Sequence, residues 1–447
     1  MDDIHLSREI LRAVQAGALA PSVLEEIKTE HLLGCCRHCR AEVEAFEAEL
    51  RAGTSVLKRV LQIFTRLLER WIGSGSRELS QAEEDIRELL PLSTDERDRR
   101  IERARHRFRS PLLVKLLLEE SRRRIPGQAA ESLSLAELAR RVLNRIPQTP
   151  RYYELYSLAT AHMANACRVM NDRRRADDLF AVVRQVIAEH GVTDPEVVAR
   201  VDDLLGSLRK DQRRFSEAER LLRRAAMQYS LVRASEDAAR VFIKLGDLYQ
   251  TLGSSALAIE ATRGALTLLG PHADLNLHIA GHYNLALQLV QAGRFEEAAD
   301  LMEADKELYR RVPEPWLQLR LVWLRGDIAA GRGELATAER AYVETRDGFV
   351  ALGNGYDAAI VSLDLAVLYL RQERTADVRR VAEEMLPIFA AQDIHREALA
   401  ALTLFQEAAR RDQLTEEKAL GVVGFLHDAR SNPELRFRGW SRVNPDG

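Results

Sequence analysis

The sequence predicts an all-α chain, a right-handed α-solenoid of stacked helical hairpins preceded by a small helical module. Three observations carry that expectation. The first is composition. Of 447 residues, 46% are hydrophobic and 30% charged, enough to bury a core and too apolar for a disordered chain. Aromatic residues make up only 6%, and Ala, Leu, Arg and Glu dominate, a usage that favours helix over sheet. The second is spacing, because apolar residues recur three to four apart, as on one face of a helix. The third is an internal repeat with a fixed period of 40 residues.

The repeat is read from small residues at 206, 246, 286, 326 and 366, each preceded by Leu except Gly326, which follows Arg325. Twelve positions later stand Ala218, Ala258, Ala298, Ala338 and Val378. A helical hairpin explains both. The small residue lets the first helix approach the second closely, and the residue twelve positions on faces that gap from the second helix. A polar or Gly-containing turn separates the two, as at Gly253, Gly293 and Gly333. Leu222, Ala225, Ala265, Met302, Tyr342 and Ala382 fill the rest of the second-helix face. One hairpin cannot bury both of its faces, so the copies are expected to stack on a shared core.

The segments Leu245-Gly246-Asp247-Leu248-Tyr249 with Ala258 and Ala265, and Phe295-Glu296-Glu297-Ala298, resemble the tetratricopeptide repeat. The match covers the small position, the aromatic three residues after it (Tyr249, Tyr369), the turn Gly and both second-helix Ala positions. It departs in length, since the common unit has about 34 residues, and its terminal Pro is mostly absent. A weaker unit precedes, from about Tyr152 to Gly191 with Ala164 and Ala176, and a degenerate one follows from about His395. Degenerate ends fit copies that must face water. The resemblance covers residues 151–430 and implies about six or seven hairpins, with 431–447 as a tail.

Residues 51–150 read as a helical linker region without a repeat. Leu57 to Trp71 is apolar at helical spacing, and Gly73-Ser74-Gly75-Ser76 is a flexible break. Asp95 to Glu120 reads as a long helix, interrupted or kinked near Ser110-Pro111, and Pro126-Gly127 ends the next piece. Ser134 followed by Glu137 is a capping-box candidate that would open a helix over 135–145. Pro147 and Pro150 mark the entry to the repeat array.

Three of the four cysteines, Cys35, Cys36 and Cys39, fall within five residues, and Cys167 stands alone. That is no disulfide framework, and in a reducing compartment it points to metal binding. Cys36-x2-Cys39 is a knuckle that aims two thiolates at one ion. His31 sits at the end of the preceding helix, which Gly34 can terminate. Tetrahedral zinc needs a fourth ligand. His5 is the best candidate, brought back by two short helices joined at Ala18-Leu19-Ala20-Pro21. Two ligand sets stay open, His31/Cys36/Cys39 or His31/Cys35 with His38 or Cys39. The first is preferred because it uses two thiolates at one short spacing. Residues 1–50 resemble the zinc-binding anti-sigma factor domain through His5, His31, Cys36, Cys39 and the tail Cys39-Arg40-Ala41-Glu42, with one extra residue between His31 and Cys36. The resemblance implies a structural zinc and a bacterial regulator that holds a sigma factor. The helix at 57–71 would complete the grip.

Other candidates carry bland readings beside the functional ones. Seven Arg occur between Arg97 and Arg109, either a basic face for nucleic acid or a solvated helix with internal ion pairs; the second is favoured, as no aromatic platform accompanies them. His278 and His282, four apart, read as surface or groove histidines. Trp316, Trp323 and Tyr309 read as core in preference to groove, and Cys167 as buried and inert.

The 65 basic and 68 acidic residues nearly cancel, to a net charge of −3, which disfavours a nucleic-acid or anionic-membrane binder. No stretch approaches about 18 apolar residues, and Met1-Asp2-Asp3-Ile4-His5 is no secretory signal, so the expected location is cytoplasmic. No phosphate loop, nucleophile elbow or kinase signature occurs, and no enzyme is expected. The sequence points to a protein-interaction scaffold, regulatory in role, with a peptide or helix in the solenoid groove. A sigma-factor regulator acting through its N-terminal module is the alternative, and a nucleic-acid binder acting through residues 97–109 ranks last.

Overall fold

The structure is a computed structural model, and it describes residues 78–104, 107–271, 273–390, 396–411 and 413–431. The knuckle segment with His5, His31, Cys36 and Cys39, the helix expected at 57–71 and the Gly-Ser break all lie outside the described residues. Among the described residues every regular element is helical. The chain packs as two compact units, Met1–Val192 and Thr193–Gly447.

In the first unit, α1 (residues 78–89), α2 (Thr94–Arg103), α3 (Pro111–Arg124) and α4 (Ala129–Leu143) lead into a hairpin of α5 (Pro150–Val169) and α6 (Arg173–His190). The helix expected from Asp95 to Glu120 is two helices with a wide break. Arg145 caps the end of α2 by donating to the carbonyls of Ile101 and Ala104. Phe108 then turns through a positive φ of 59° to plug the core, and Ser110 caps a new helix with Pro111 at its first position. The capping box expected at Ser134 is absent, because α4 starts at Ala129, a turn and more earlier. Ser132 is buried there, its carbonyl and hydroxyl both meeting the Ser121 hydroxyl at 2.8 and 2.9 Å, and that contact holds the extra turn. A capping box does form at Ser93 and Glu96, opening α2.

The second unit is a run of hairpins. Its first helices are α7 (Pro195–Asp211), α9 (Ser235–Thr251), α11 (Leu275–Gln291), α14 (Pro315–Gly331) and α16 (Gly355–Arg371). They start 40 residues apart, at 195, 235, 275, 315 and 355. The partners are α8 (Phe215–Leu231), α10 (Ser255–Leu268), α12 (Phe295–Ala304) with the short α13 (Lys306–Arg310), α15 (Leu335–Ala351) and α17 (Thr375–Ala390). The degenerate last copy is α18 (Arg396–Arg410) and α19 (Glu416–Ser431). Asp194, Asp274 and Asn354, side chains at one register of the repeat, cap α7, α11 and α16 by accepting from backbone N–H groups.

The small residues do what their spacing implied. A Cβ on Gly206 would meet Leu222 at 2.9 Å, one on Gly246 would meet Thr262 Oγ1 at 2.3 Å, and one on Gly326 would meet the Tyr342 ring at 2.8 Å. Ala218, Ala258, Ala298 and Ala338 are fully buried opposite them. Each turn inside a hairpin has one residue in the left-handed region, at 213, 253, 293, 333 and 373. The next residue donates its N–H to the carbonyl five positions back, as Ser254 does to Tyr249 and Arg374 to Tyr369. This is a Schellman closure, which needs φ > 0 at that one position. Gly fills it three times; Arg213 and Glu373 adopt it with a side chain.

Side chains stitch each copy to the next. Tyr249 donates to Glu219 at 3.0 Å and Tyr369 to Glu339 at 2.8 Å, the same bond three hairpins apart. First helices are linked at a separation of 37 residues, by Arg200 to Asp237 at 3.0 Å, Lys244 to Ser207 at 3.2 Å and Arg320 to Tyr283 at 3.1 Å. The separation is one helical turn short of the repeat, so adjacent first helices are offset by about a turn.

Gly246→Leu is expected to cost about 1–3 kcal/mol by overpacking against Thr262. Gly264→Leu, where nothing lies within 4 Å of an added Cβ, serves as the control in urea unfolding. Glu373→Gly removes left-handed strain from an exposed side chain and is expected to raise the urea midpoint, by up to about 1 kcal/mol of stability. An unchanged or lower midpoint would contradict that reading of the turn.

Candidate functional site

A cleft of about 1030 Å³ runs along the second unit, from Lys210 on α7 to Leu420 on α19. It is built on the first helices, one residue after the small position and about one turn to either side. Asp247, Leu287 and Asp327 each follow a small residue of the repeat, and Gln250, Val290 and Ala330 lie three further on. The face just beside the close approach to the second helix is therefore the face that lines the cleft. Gly331 belongs here as well, since an added Cβ would lie 2.1 Å from the Phe295 ring that forms part of the wall.

The middle of the cleft carries its chemistry. Asp327 on α14 accepts a hydrogen bond from the Tyr342 hydroxyl at 2.9 Å. Asp364 on α16 accepts one from the Trp323 indole N–H at 2.9 Å. Among the described residues, neither carboxylate has a Lys or Arg nitrogen within ion-pair distance. Burial among the cleft walls pushes the Asp327 carboxyl up to about 7, against smaller opposing effects of the Tyr342 hydrogen bond and the Arg320 charge. Burial, then the charge of Asp327, raises Asp364 well above the usual carboxylate range, with the Trp323 hydrogen bond opposing. Burial likewise raises the Tyr342 phenol, with the neighbouring Asp327 charge adding to it. Arg320 donates Nε–H to the Tyr283 hydroxyl, and its guanidinium lies 5.3, 5.1 and 5.8 Å from the ring centres of Tyr283, Trp316 and Trp323. Stacking on aromatic faces holds that cation in place. At the cleft's margins the charges are neutralised within the chain, Lys210 by Asp247 and Arg371 by Glu416.

The other sequence candidates fall elsewhere. Trp323 and Tyr309 are buried as expected, but Trp316 is 45% exposed, and Trp323 is core on one edge and cleft wall on the other. His278 and His282 do not share a ligand. His282 Nδ1 pairs with Asp305 Oδ2 at 2.6 Å, at the break between α12 and α13, while His278 Nε2 meets the Gly270 carbonyl at 3.1 Å. Cys167 is fully buried in α5, and burial raises its thiol. Within 97–109, Arg97 is buried and tied to Glu131 and the carbonyls of Leu89 and Leu90, Arg100 pairs with Glu88, and Arg107 with Asp85 and Glu88. Those three serve the first unit's own packing. Among the described residues no cluster of three or more metal-ligating side chains occurs, and no helix is long and apolar enough to cross a membrane. Asp327 and Asp364 were not singled out from sequence. The available signal was a charge on the inward stripe of a first helix, directly after Gly326.

No family model matches the chain, and no curated protein matches it. Solved structures do. A Rap protein complexed with competence and sporulation factor superposes with a TM-score of 0.55 at 12% identity, over 72% of this chain and 88% of that one. The apo form of RapI does so with 0.55 at 13% identity, over 71% and 87%. A tetratricopeptide repeat protein from Parabacteroides merdae gives 0.41 at 13% identity, over 66% and 98%. At these identities the likeness is one of fold.

The raised Asp327 gives a pH signature. An unfolded Asp titrates near about 3.9, so between that value and about 7 the folded chain binds more protons than the unfolded one. Stability then falls as pH rises through that window. Asp327→Asn is expected to stabilise the chain by about 1–3 kcal/mol at pH 8 and to change little near pH 4, in urea titrations at both values.

Proposed function

We propose that the chain is a regulatory protein-interaction scaffold that takes a peptide, or a segment of a partner protein, into the cleft of its second unit. The observation that carries this reading is the cleft itself, continuous across successive first helices and lined by half-buried apolar, aromatic and charged groups in turn. Its volume is at the upper end of the range of about 300–1000 Å³ typical of small-ligand pockets, and its elongated run along the repeat suits a chain segment. Arrays of stacked hairpins use such surfaces to bind peptides and helices. The Rap structure of similar fold is a complex with competence and sporulation factor, which supports the reading by analogy of fold alone. The role assigned is binding, with no catalytic residue.

A second reading rests on the knuckle segment. We propose that His5, His31, Cys36 and Cys39 hold one structural zinc, with Cys35 and His38 as competing ligands, and that residues 1–75 then present a surface for a sigma factor or a comparable regulatory partner. Four protein ligands leave no open position, so the metal would contribute folding free energy and no chemistry.

The cleft reading is tested by probing an array of random 15-residue peptides with the full chain and with Leu287→Glu. A defined set of bound peptides, weakened at least about tenfold by the charge placed in the cleft, is expected; binding indifferent to Leu287→Glu would move the interface elsewhere. The zinc reading is tested by metal analysis. One zinc per chain, lost in Cys36→Ser/Cys39→Ser, is expected, and a metal-free preparation kept reduced throughout would end it.

A further inference from the structure

We infer that the cleft recognises a basic side chain, a guanidinium or ammonium group of the bound segment, seated between Asp327 and Asp364; this rests on the peptide-cleft reading. The argument comes from the register of the repeat. Asp327 and Asp364 are 37 residues apart, the separation at which neighbouring first helices are stitched together throughout the unit. Their counterparts three copies earlier are Ser207 and Lys244, whose side chains meet at 3.2 Å. Lys244 also pairs with Asp203 at 2.6 Å, so at that position the chain supplies its own cation. Arg200 and Asp237, and Lys210 and Asp247, are likewise opposite charges at the same separation. In the middle of the cleft the same register brings together two carboxyls, Asp327 and Asp364, in place of opposite charges.

The surroundings hold both acids in place without neutralising them. The Tyr342 hydroxyl takes Oδ1 of Asp327 and the Trp323 indole takes Oδ2 of Asp364, leaving one oxygen of each without a hydrogen-bond partner among the described residues. Arg320 is the cation whose charge acts on Asp327, but its Nε–H is given to Tyr283 and its guanidinium lies over three rings. Burial keeps the pair largely protonated in the free chain, and an incoming cation meets two carboxyls that ionise as it binds, while the paired charges at the margins leave the rims neutral. Charge complementarity therefore selects a cation. The Trp323 and Tyr283 rings beside it favour an organic cation with a planar or methylene-bearing body over a bare metal ion. A charge-assisted pair with two carboxylates is the strongest single contact the cleft offers.

The Trp323 indole N–H, bonded to Asp364, is a built-in reporter. The experiment is a ¹H–¹⁵N spectrum of the full-length chain labelled at Trp, with the resonance assigned by Trp323→Phe. Acetyl-arginine amide and its neutral isostere acetyl-citrulline amide are the probes. The arginine probe is expected to shift the Trp323 resonance saturably, with the citrulline probe at least about tenfold weaker. Asp327→Asn/Asp364→Asn is expected to remove the difference while the remaining indole resonances keep their dispersion, which reports an intact fold. Equal response to both probes, an arginine response that survives the double variant, or the same shift from calcium chloride alone would overturn the inference. The peptide array separates the two levels. Peptides that bind through Leu287 without enrichment of Lys or Arg would sink the cation and leave the cleft reading standing. An array with no cleft-dependent binder would sink the cleft reading, while the small probes still decide whether the pair takes a cation.

Discussion

The close approach of two helices inside each hairpin is the constraint on which the rest depends. At Gly206, Gly246 and Gly326 there is no room for a Cβ, because side chains or backbone of the second helix occupy that space. The contact fixes how each first helix is rotated about its axis. Once one face is committed to the partner helix, the residues on either side of the small position are committed as well. Those one turn away on one side bury against the preceding copy, as Tyr249 and Tyr369 do. Those on the other side line the cleft. The position directly after the small residue is therefore a cleft position by geometry, and Asp247, Leu287 and Asp327 all occupy it.

The same constraint explains what was legible in sequence. A period is visible when every copy must solve the same steric problem with the same kind of residue. The small positions, the Ala opposite them and the turn glycines Gly253, Gly293 and Gly333 meet that condition and are legible, as is the burial of Met302 and Tyr342. The turn also shows the limit of the signal, since Arg213 and Glu373 occupy the glycine register and only the backbone reveals it. Ahead of the α5–α6 hairpin no repeat constrains the reading, and local motifs compete with tertiary contacts. Ser134-x2-Glu137 has the form of a helix start, yet the buried Ser121–Ser132 contact extends the helix past it, and the Ser134 hydroxyl meets Thr94 at 2.9 Å instead.

The cleft was illegible for the converse reason. A binding face is where copies are free to differ, so it leaves no period. Asp327 and Asp364 sit at different places in their own helices, and nothing in a linear scan pairs them. They become a pair only through the one-turn offset between neighbouring first helices, and that offset shows in Arg200–Asp237 and Lys244–Ser207 once the helices are packed. Trp323 was read as core because it is large and apolar. It is nearly buried, but its indole N–H is a polar edge that must be satisfied, and the acceptor it finds is the cleft carboxylate Asp364.

Two carboxyls facing across a packed helix pair cannot both ionise without cost, so in the free chain the pair holds on to protons that a bound cation can displace. Elsewhere along the unit the same register contributes to cohesion between copies, with Lys244 or Arg200 supplying the opposite charge. In the middle it detracts from cohesion. The hairpins on either side, α14 with α15 and α16 with α17, are joined by other contacts, among them Tyr369 to Glu339 and Arg374 to Glu339 at 2.7 Å. The array does not need a stitch at Asp327 and Asp364 to stay intact. A bound cation at that point would therefore tighten the junction between two hairpins already in register, in exchange for the protons it displaces from the pair. Binding and inter-repeat rigidity become one free energy, concentrated at the junction of α14 and α16.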